Sequence, residues 1–209
     1  MSALQGRRLP RRWMQLLIGL FLYGIGIAFM VRGQIGAAPW DVLSQGITRH
    51  APLTFGLVTI LVSIVVLLLW IPLRQKLGIG TVLNALLVGP AADVGLAVIP
   101  PNQPLWLRIC FFVIGLLVLS AATGLYIGAQ FGPGPRDGLM TGIHKQTGWR
   151  IWIVRTGIEI VVVAVGWALG GNVGVGTVAF ALLVGPLCQY FMRLFAMTIN
   201  RQPQKGVTA

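Results

Sequence analysis

The chain has 209 residues, 56% hydrophobic and only 10% charged, with a formal net charge of +12 and a mean hydropathy of +0.84. Soluble domains carry about 25% charged residues, so a soluble domain is excluded, and apolar runs of about 20 residues read as membrane-spanning helices. The basic residues sit in short segments between apolar runs, as topology signals do; no aromatic-interleaved basic patch is present, and no nucleic-acid partner is expected.

The opening segment 1–10 contains "GRRLPRRW". It resembles the basic start of a signal peptide, but the apolar run that follows is too long and lacks an A-x-A site. It reads as a cytoplasmic N-terminus before a retained first span, about Trp13–Val31. "GQIGAAPWDVLSQGI" (Gly33–Ile47) then interrupts the apolar pattern. Proline suits the first turn of a helix, where its missing N–H costs nothing. An acid two residues later meets the exposed N–H groups and the positive end of the helix dipole. Gly36, Pro39 and Asp41 therefore mark the start of a short helix ending near His50. Two placements are open: an interfacial helix on the membrane surface, or a re-entrant half-helix pointing its positive end into a polar cavity.

A second span is expected at about Leu53–Leu73 and a third at about Ile79–Ile99. The third carries Gly89–Pro90 near its middle, flanked by Asn84 and Asp93. A mid-helix proline frees a carbonyl one turn back, either as a tolerated packing kink or as the lining of a site. Thr81 either donates to a solute or bonds its own backbone.

After the Pro-rich outer linker 101–106 the pattern starts again, 96 positions on and without a gap. "AQFGPGPRDGLMTGI" (Ala129–Ile143) repeats the motif with Gly132, Pro135 and Asp137. "VGVGTVAFALLVGPLCQY" (Val173–Tyr190) repeats "LGIGTVLNALLVGPAADV" (Leu77–Val94), bringing Gly185–Pro186, Thr177 and, opposite Asp93, Gln189. The chain thus divides into units 11–100 and 107–197, followed by a cytoplasmic tail, 198–209. Spans of the second unit are expected at about Trp106–Ala129, Trp149–Leu169 and Val175–Met197.

The positive-inside rule fits six spans with both termini cytoplasmic. Arg7, Arg8, Arg11, Arg12, Arg74, Lys76, Arg136, Lys145, Arg150, Arg193, Arg201 and Lys205 fall inside, and only Arg32, Arg49 and Arg108 outside. Three spans per unit is an odd number, so the units must lie in opposite orientations. The predicted fold is an all-α membrane protein of two three-helix inverted repeats, each with a short motif helix after its first span. Such architectures place solute sites near the midplane between repeats. Four spans per unit would give parallel repeats, but would put Arg74 and Lys76 outside.

One feature is not repeated. "VRTGIEIVV" sets Arg155 and Glu159 four residues apart on one helix face, where the first unit has Thr59 and Ser63. The pair either neutralises itself and fixes packing, or supplies a protonatable Glu159 and an anion-binding Arg155. Ser120, Gly124, Gly128 and Gly132 form a small-residue stripe that reads as close helix packing. Cys110 and Cys188 lie in apolar runs with no metal spacing.

"GxxPWDVLxxG" after a first span, with "GxGTxxNxxxxGPxxD" at the third, resembles the YczE-like bacterial integral membrane proteins, related to the YitT group. The resemblance covers essentially the whole chain. In the second half Arg136 stands where Trp40 would, and Phe180 where Asn84 would. The resemblance implies a multi-pass protein of the bacterial plasma (inner) membrane.

The resulting expectation is a small-solute permease, with the alternative of a non-transporting accessory or regulatory protein. Candidate solute-binding residues are Asp41, Asn84, Asp93, Asp137, Arg155, Glu159 and Gln189. Gly36, Pro39, Gly89, Pro90, Gly132, Pro135, Gly185 and Pro186 shape the kinks and motif helices. No His cluster, nucleophile–base pair or phosphate loop points to an enzyme, a metal or a cofactor. The partners expected are the lipid bilayer and an unidentified small solute, with a homo-oligomer left open.

Overall fold

The computed structural model describes residues 3–195, with side chains from Leu9 onward. The predicted tail 198–209, the last residues of the second unit and the side chains of Arg7 and Arg8 lie outside the described residues. Eight helices are present: α1 (Ala3–Gly33), α2 (Pro39–Thr48), α3 (Phe55–Leu69), α4 (Ile79–Val98), α5 (Leu105–Gly128), α6 (Pro135–Thr147), α7 (Ile151–Ala168) and α8 (Val175–Phe195). No strand occurs among the described residues.

The helix starts follow the sequence repeat. Pro39 and Pro135, Phe55 and Ile151, Ile79 and Val175 each stand 96 positions apart. Both motif helices begin at their proline and carry an aspartate in the first turn, as the spacing predicts. Pro90 and Pro186 lie inside α4 and α8, which continue through them as helix.

Among the described residues, five segments are long and apolar enough to cross a membrane: Leu9–Gly33, α4, α5, α7 and α8. The expected sixth, α3, is a 15-residue apolar helix, about 22 Å long at 1.5 Å per residue and so shorter than the hydrocarbon core. Trp70 and the turns up to Arg74 end the helix before its expected length. Large apolar side chains cover the exterior, with Val98 76% and Leu182 70% exposed. A water-soluble protein rarely presents so continuous an apolar surface; acyl chains are its natural contact.

At the centre α1 and α5 run antiparallel. Gly19 lies against Tyr126, Gly26 against Leu119, and Gly33 against Arg108 and Phe112. A Cβ on any of these glycines would stand 2.8 to 2.9 Å from partner backbone, so the two backbones touch as small residues permit in membranes. α4 packs on α1, and α8 on α5. The small-residue stripe serves the second contact, with Gly124 against Phe191 and Met192. α2 packs on α7 and α3, and α6 on α3 and α7.

The contacts between the halves are reciprocal. Arg12 donates to the carbonyls of Ala129 (2.9 Å) and Gln130 (3.1 Å) at the end of α5. Arg108 does the same for Gly33 (3.0 Å) and Gln34 (2.6 Å) at the end of α1. Both arginines satisfy carbonyls that a helix C-terminus leaves orphaned. Likewise Gly80 N–H donates to Phe131 O (2.9 Å), and Gly176 N–H to Ile35 O (2.8 Å). Each contact maps onto its counterpart by the same 96-residue step.

Candidate functional site

The chain reverses sharply after α1 and after α5. Gln34 and Gln130 adopt positive φ (52° and 58°), followed by Gly36 and Gly132 at φ 125° and 122°. Only glycine enters this last region without strain. It is also crowded, since a Cβ on Gly36 would lie 2.9 Å from Thr177 Oγ1, and one on Gly132 2.9 Å from Thr81 Oγ1. Thr81 Oγ1 donates to Pro133 O at 2.7 Å. Thr81 therefore ties the turn after α5 to the start of α4, and Thr177 packs on the turn after α1 while accepting from Gly174 N–H at the start of α8 (3.4 Å).

After the turns α2 and α6 run in opposite directions. Gly46 of α2 lies against Gly166 and Leu169 at the end of α7, and His50 Nε2 is 3.2 Å from Leu169 O. Gly142 of α6 lies against Leu73 and Gln75 just after α3, and Gln146 Nε2 donates to Pro72 O at 2.9 Å. The end of α7 adjoins the turn after α1, whereas the end of α3 adjoins the turn after α5. Since α1 and α5 are antiparallel, the far ends of α2 and α6 reach opposite ends of the bundle. Their N-termini meet between, where Asp41 Oδ1 stands 3.6 Å from Arg136 Nη1. Trp40 supports the Arg136 guanidinium, whose Cζ is 5.3 Å from the indole centroid, a cation–π contact.

Burial here is deep. Asp41 is fully inaccessible, and neither of its carboxylate oxygens has a hydrogen bond; Trp40 Nε1 is buried without a partner as well. Asp137, the counterpart of Asp41, accepts from the Tyr126 hydroxyl at 2.7 Å. Tyr126 lies edge-on to Tyr23 with ring centroids 6.0 Å apart. Arg155 Nε donates to Glu159 Oε1 at 2.9 Å. A cavity of about 220 Å³ connects these groups, lined by Tyr23, Trp40, Asn84, Arg136, Asp137, Arg155 and Glu159.

Of the residues singled out in the sequence, Asn84, Asp137, Arg155 and Glu159 line this chamber, and Asp41 is paired with Arg136, which lines it. Two do not join them. Asp93 lies between α3 and α4, accepting from Thr54 Oγ1 (2.6 Å) and Gly56 N–H (2.7 Å), and Gln189 is exposed on α8. Arg136 is noted in the sequence in the place of Trp40, but neither of them, nor Tyr23 or Tyr126, is among the candidate solute-binding residues read there. The available signal was the break in the repeat at Trp40/Arg136, a cation where its twin has an aromatic.

The family model matching residues 10–193 is described as a family of unknown function, DUF6198. The chain belongs to this family. It is 30% identical over 196 residues to the "Uncharacterized membrane protein YczE" of Bacillus subtilis, covering 93% of this chain and 91% of that one. It is 39% identical over 181 residues to an "Uncharacterized protein" of Haemophilus influenzae, covering 87% and 83% respectively. The YczE-like resemblance read from the motifs is therefore correct. Together with the apolar helices it makes this family member a multi-pass membrane protein. No solved structure matches the chain.

Proposed function

We propose that the protein is a small-solute permease of the bacterial plasma membrane, built as two three-span units of opposite orientation around the chamber. The observation that carries the reading is the head-to-head meeting of α2 and α6, joined by Asp41 and Arg136. Half-helices that bring N–H ends and their dipoles to mid-bundle are a solute-binding device of inverted-repeat transporters. Antiparallel α1 and α5, together with the reciprocal arginine contacts, support the opposite orientation. α3 and the turns after it serve as the sixth span, and the basic residues, apart from Arg136, which lines the chamber instead of the cytoplasmic face, set both termini on the cytoplasmic side.

The chamber wall holds two of the four acids in the chain, Asp137 and Glu159, with Arg136 and Arg155, and Asp41 pairs with Arg136. Charge inside a span is expensive and falls by default on functional positions. In this reading Asp137, Arg136, Asn84 and the Arg155–Glu159 pair contact the solute, and no covalent chemistry is involved. α2 and α6 are re-entrant, because a surface helix would not bury its Asp41 completely.

The test is a thermal-shift screen of detergent-purified protein against small polar metabolites, repeated on Asp137→Asn and Glu159→Gln, with liposome flux for each hit. A solute that stabilises the wild type, fails on a variant and crosses the liposome bilayer supports the permease. Absence of any stabilising solute, with both variants as stable as wild type, refutes it in favour of an accessory role.

A further inference from the structure

The two halves differ at one seam. In the first half α3 lies directly on α4, and a Cβ on Gly56 would stand 2.6 Å from the carbonyl carbon of Gly89. Asp93 ties the seam shut through Thr54 and the Gly56 N–H. At the equivalent places in the second half stand Trp152 for Gly56, Arg150 for Thr54 and Gln189 for Asp93. An indole cannot sit at backbone-contact distance, and no carboxylate remains to close the gap. α7 and α8 stand apart accordingly, and nothing lies within 4 Å of a Cβ built on Gly185, the counterpart of Gly89.

Between α7 and α8 lies a crevice of about 760 Å³, lined mainly by apolar side chains such as Trp152, Ile160, Val178 and Leu182. Those four are 59 to 70% exposed, so the crevice opens sideways, where a spanning bundle meets acyl chains. Arg155 and Glu159 sit in its wall. The Arg155 side chain is 42% exposed. Only its Nε is hydrogen-bonded among the described residues. Glu159 answers its charge at Nε, but the outer guanidinium edge, Nη1 and Nη2, has no partner among the described residues, and Arg155 lines the apolar crevice, where unfilled donors are costly. That edge fits a carboxylate in two parallel hydrogen bonds. Pro39, Arg155 and Glu159 line the chamber as well as the crevice, so a headgroup held on Arg155 sits at the border of the two.

We propose that the crevice between α7 and α8 is a binding site for a long-chain carboxylate entering from the bilayer, with its headgroup on Arg155 and its alkyl chain between the helices. Charge selects the headgroup, and the apolar walls select the chain. The site stands whether or not the chamber transports a solute.

The test uses purified full-length protein in neutral detergent and a brominated long-chain fatty acid, which quenches nearby tryptophans such as Trp152 and Trp167. Saturable quenching is expected, displaced by the unbrominated acid and at least about tenfold less effectively by the matching alcohol. Arg155→Gln should weaken binding by about tenfold or more. Gly185→Leu should do likewise while keeping both charges, because it fills open space and leaves the fold intact. Non-saturating quenching, equal for acid and alcohol and unchanged in Gly185→Leu, would mean an ordinary lipid annulus and would overturn the proposal. Quenching that vanishes as a dimer forms on raising protein concentration would also overturn it, assigning the crevice to a second copy of the chain.

Discussion

Replacing Arg136 with methionine removes the cation that stands beside the Asp41 carboxylate, which has no hydrogen bond and no exposure. At 3.6 Å and an effective dielectric of about 20, the gross attraction is about 4 to 5 kcal/mol. Stranding one member of a buried pair costs about 3 to 5 kcal/mol. Protonation limits that loss, since protonating an ordinary aspartate at pH 7 costs about 4 kcal/mol. Where protonation sets the penalty it depends on pH, falling by about 1.4 kcal/mol for each unit of acidification toward the ordinary aspartate pKa of about 3.9. For a chain of this length, about 3 to 4 kcal/mol lowers the midpoint of thermal unfolding by roughly 6 to 15 °C. The assay is a pair of thermal melts in mild detergent at pH 7.5 and pH 5, with Asp41→Asn and the double variant completing a cycle. The double variant should lie closer to wild type than Arg136→Met does, because no buried charge is left alone. A midpoint for Arg136→Met within about 2 °C of wild type at pH 7.5, or a loss that does not shrink at pH 5, would refute the electrostatic account of the helix meeting point.

Three further outcomes are expected. Trp70 is buried on Gly138 and donates from Nε1 to Pro135 O at 3.0 Å, so Trp70→Ala should cost about 3 to 5 kcal/mol; a chemical-denaturation series on the folded protein checks it. Gly132→Ala forces a side chain into φ 122° against Thr81 and should lose about 1 to 3 kcal/mol, whereas Gly185→Ala, which meets nothing within 4 Å, should change the melting midpoint by under about 2 °C. Asp93→Asn weakens the tie between α3 and α4 by about 1 to 3 kcal/mol, and the melting midpoint in mild detergent should fall by about 2 to 12 °C.

Local features of the chain were legible from one sequence for a simple reason. Proline at a first helical turn, an acid two residues later and glycine at a positive-φ turn are constraints that act over four or five residues. They put the starts of α2 and α6 at Pro39 and Pro135. Repetition of the same letters 96 positions on placed the later helices in step. Hydropathy read α3 as too long, because Ile71, Pro72 and Leu73 continue the apolar run although Trp70 turns inward onto Gly138 where the helix stops.

Asp93 and Gln189 show the limit of that reading. Proximity to a Gly-Pro pair suggested a site, but helical phase decides which face a residue shares. Asp93 lies one turn beyond Gly89 and therefore follows it onto α3. Asp41 and Arg136 are 95 positions apart in the chain, and nothing in either motif names the other as partner. Only the reversal of α2 against α6 brings them within reach.

The sequence by itself determined the apolar spans, the duplicated unit and the two short helices, because each depends on local sterics or on transfer from water to lipid. Tertiary structure alone decided that the two helix starts meet head to head and that one seam closes while its twin stays open. Those outcomes turn on close approach between distant backbones, where a glycine or a tryptophan at one position sets the distance for a whole helix.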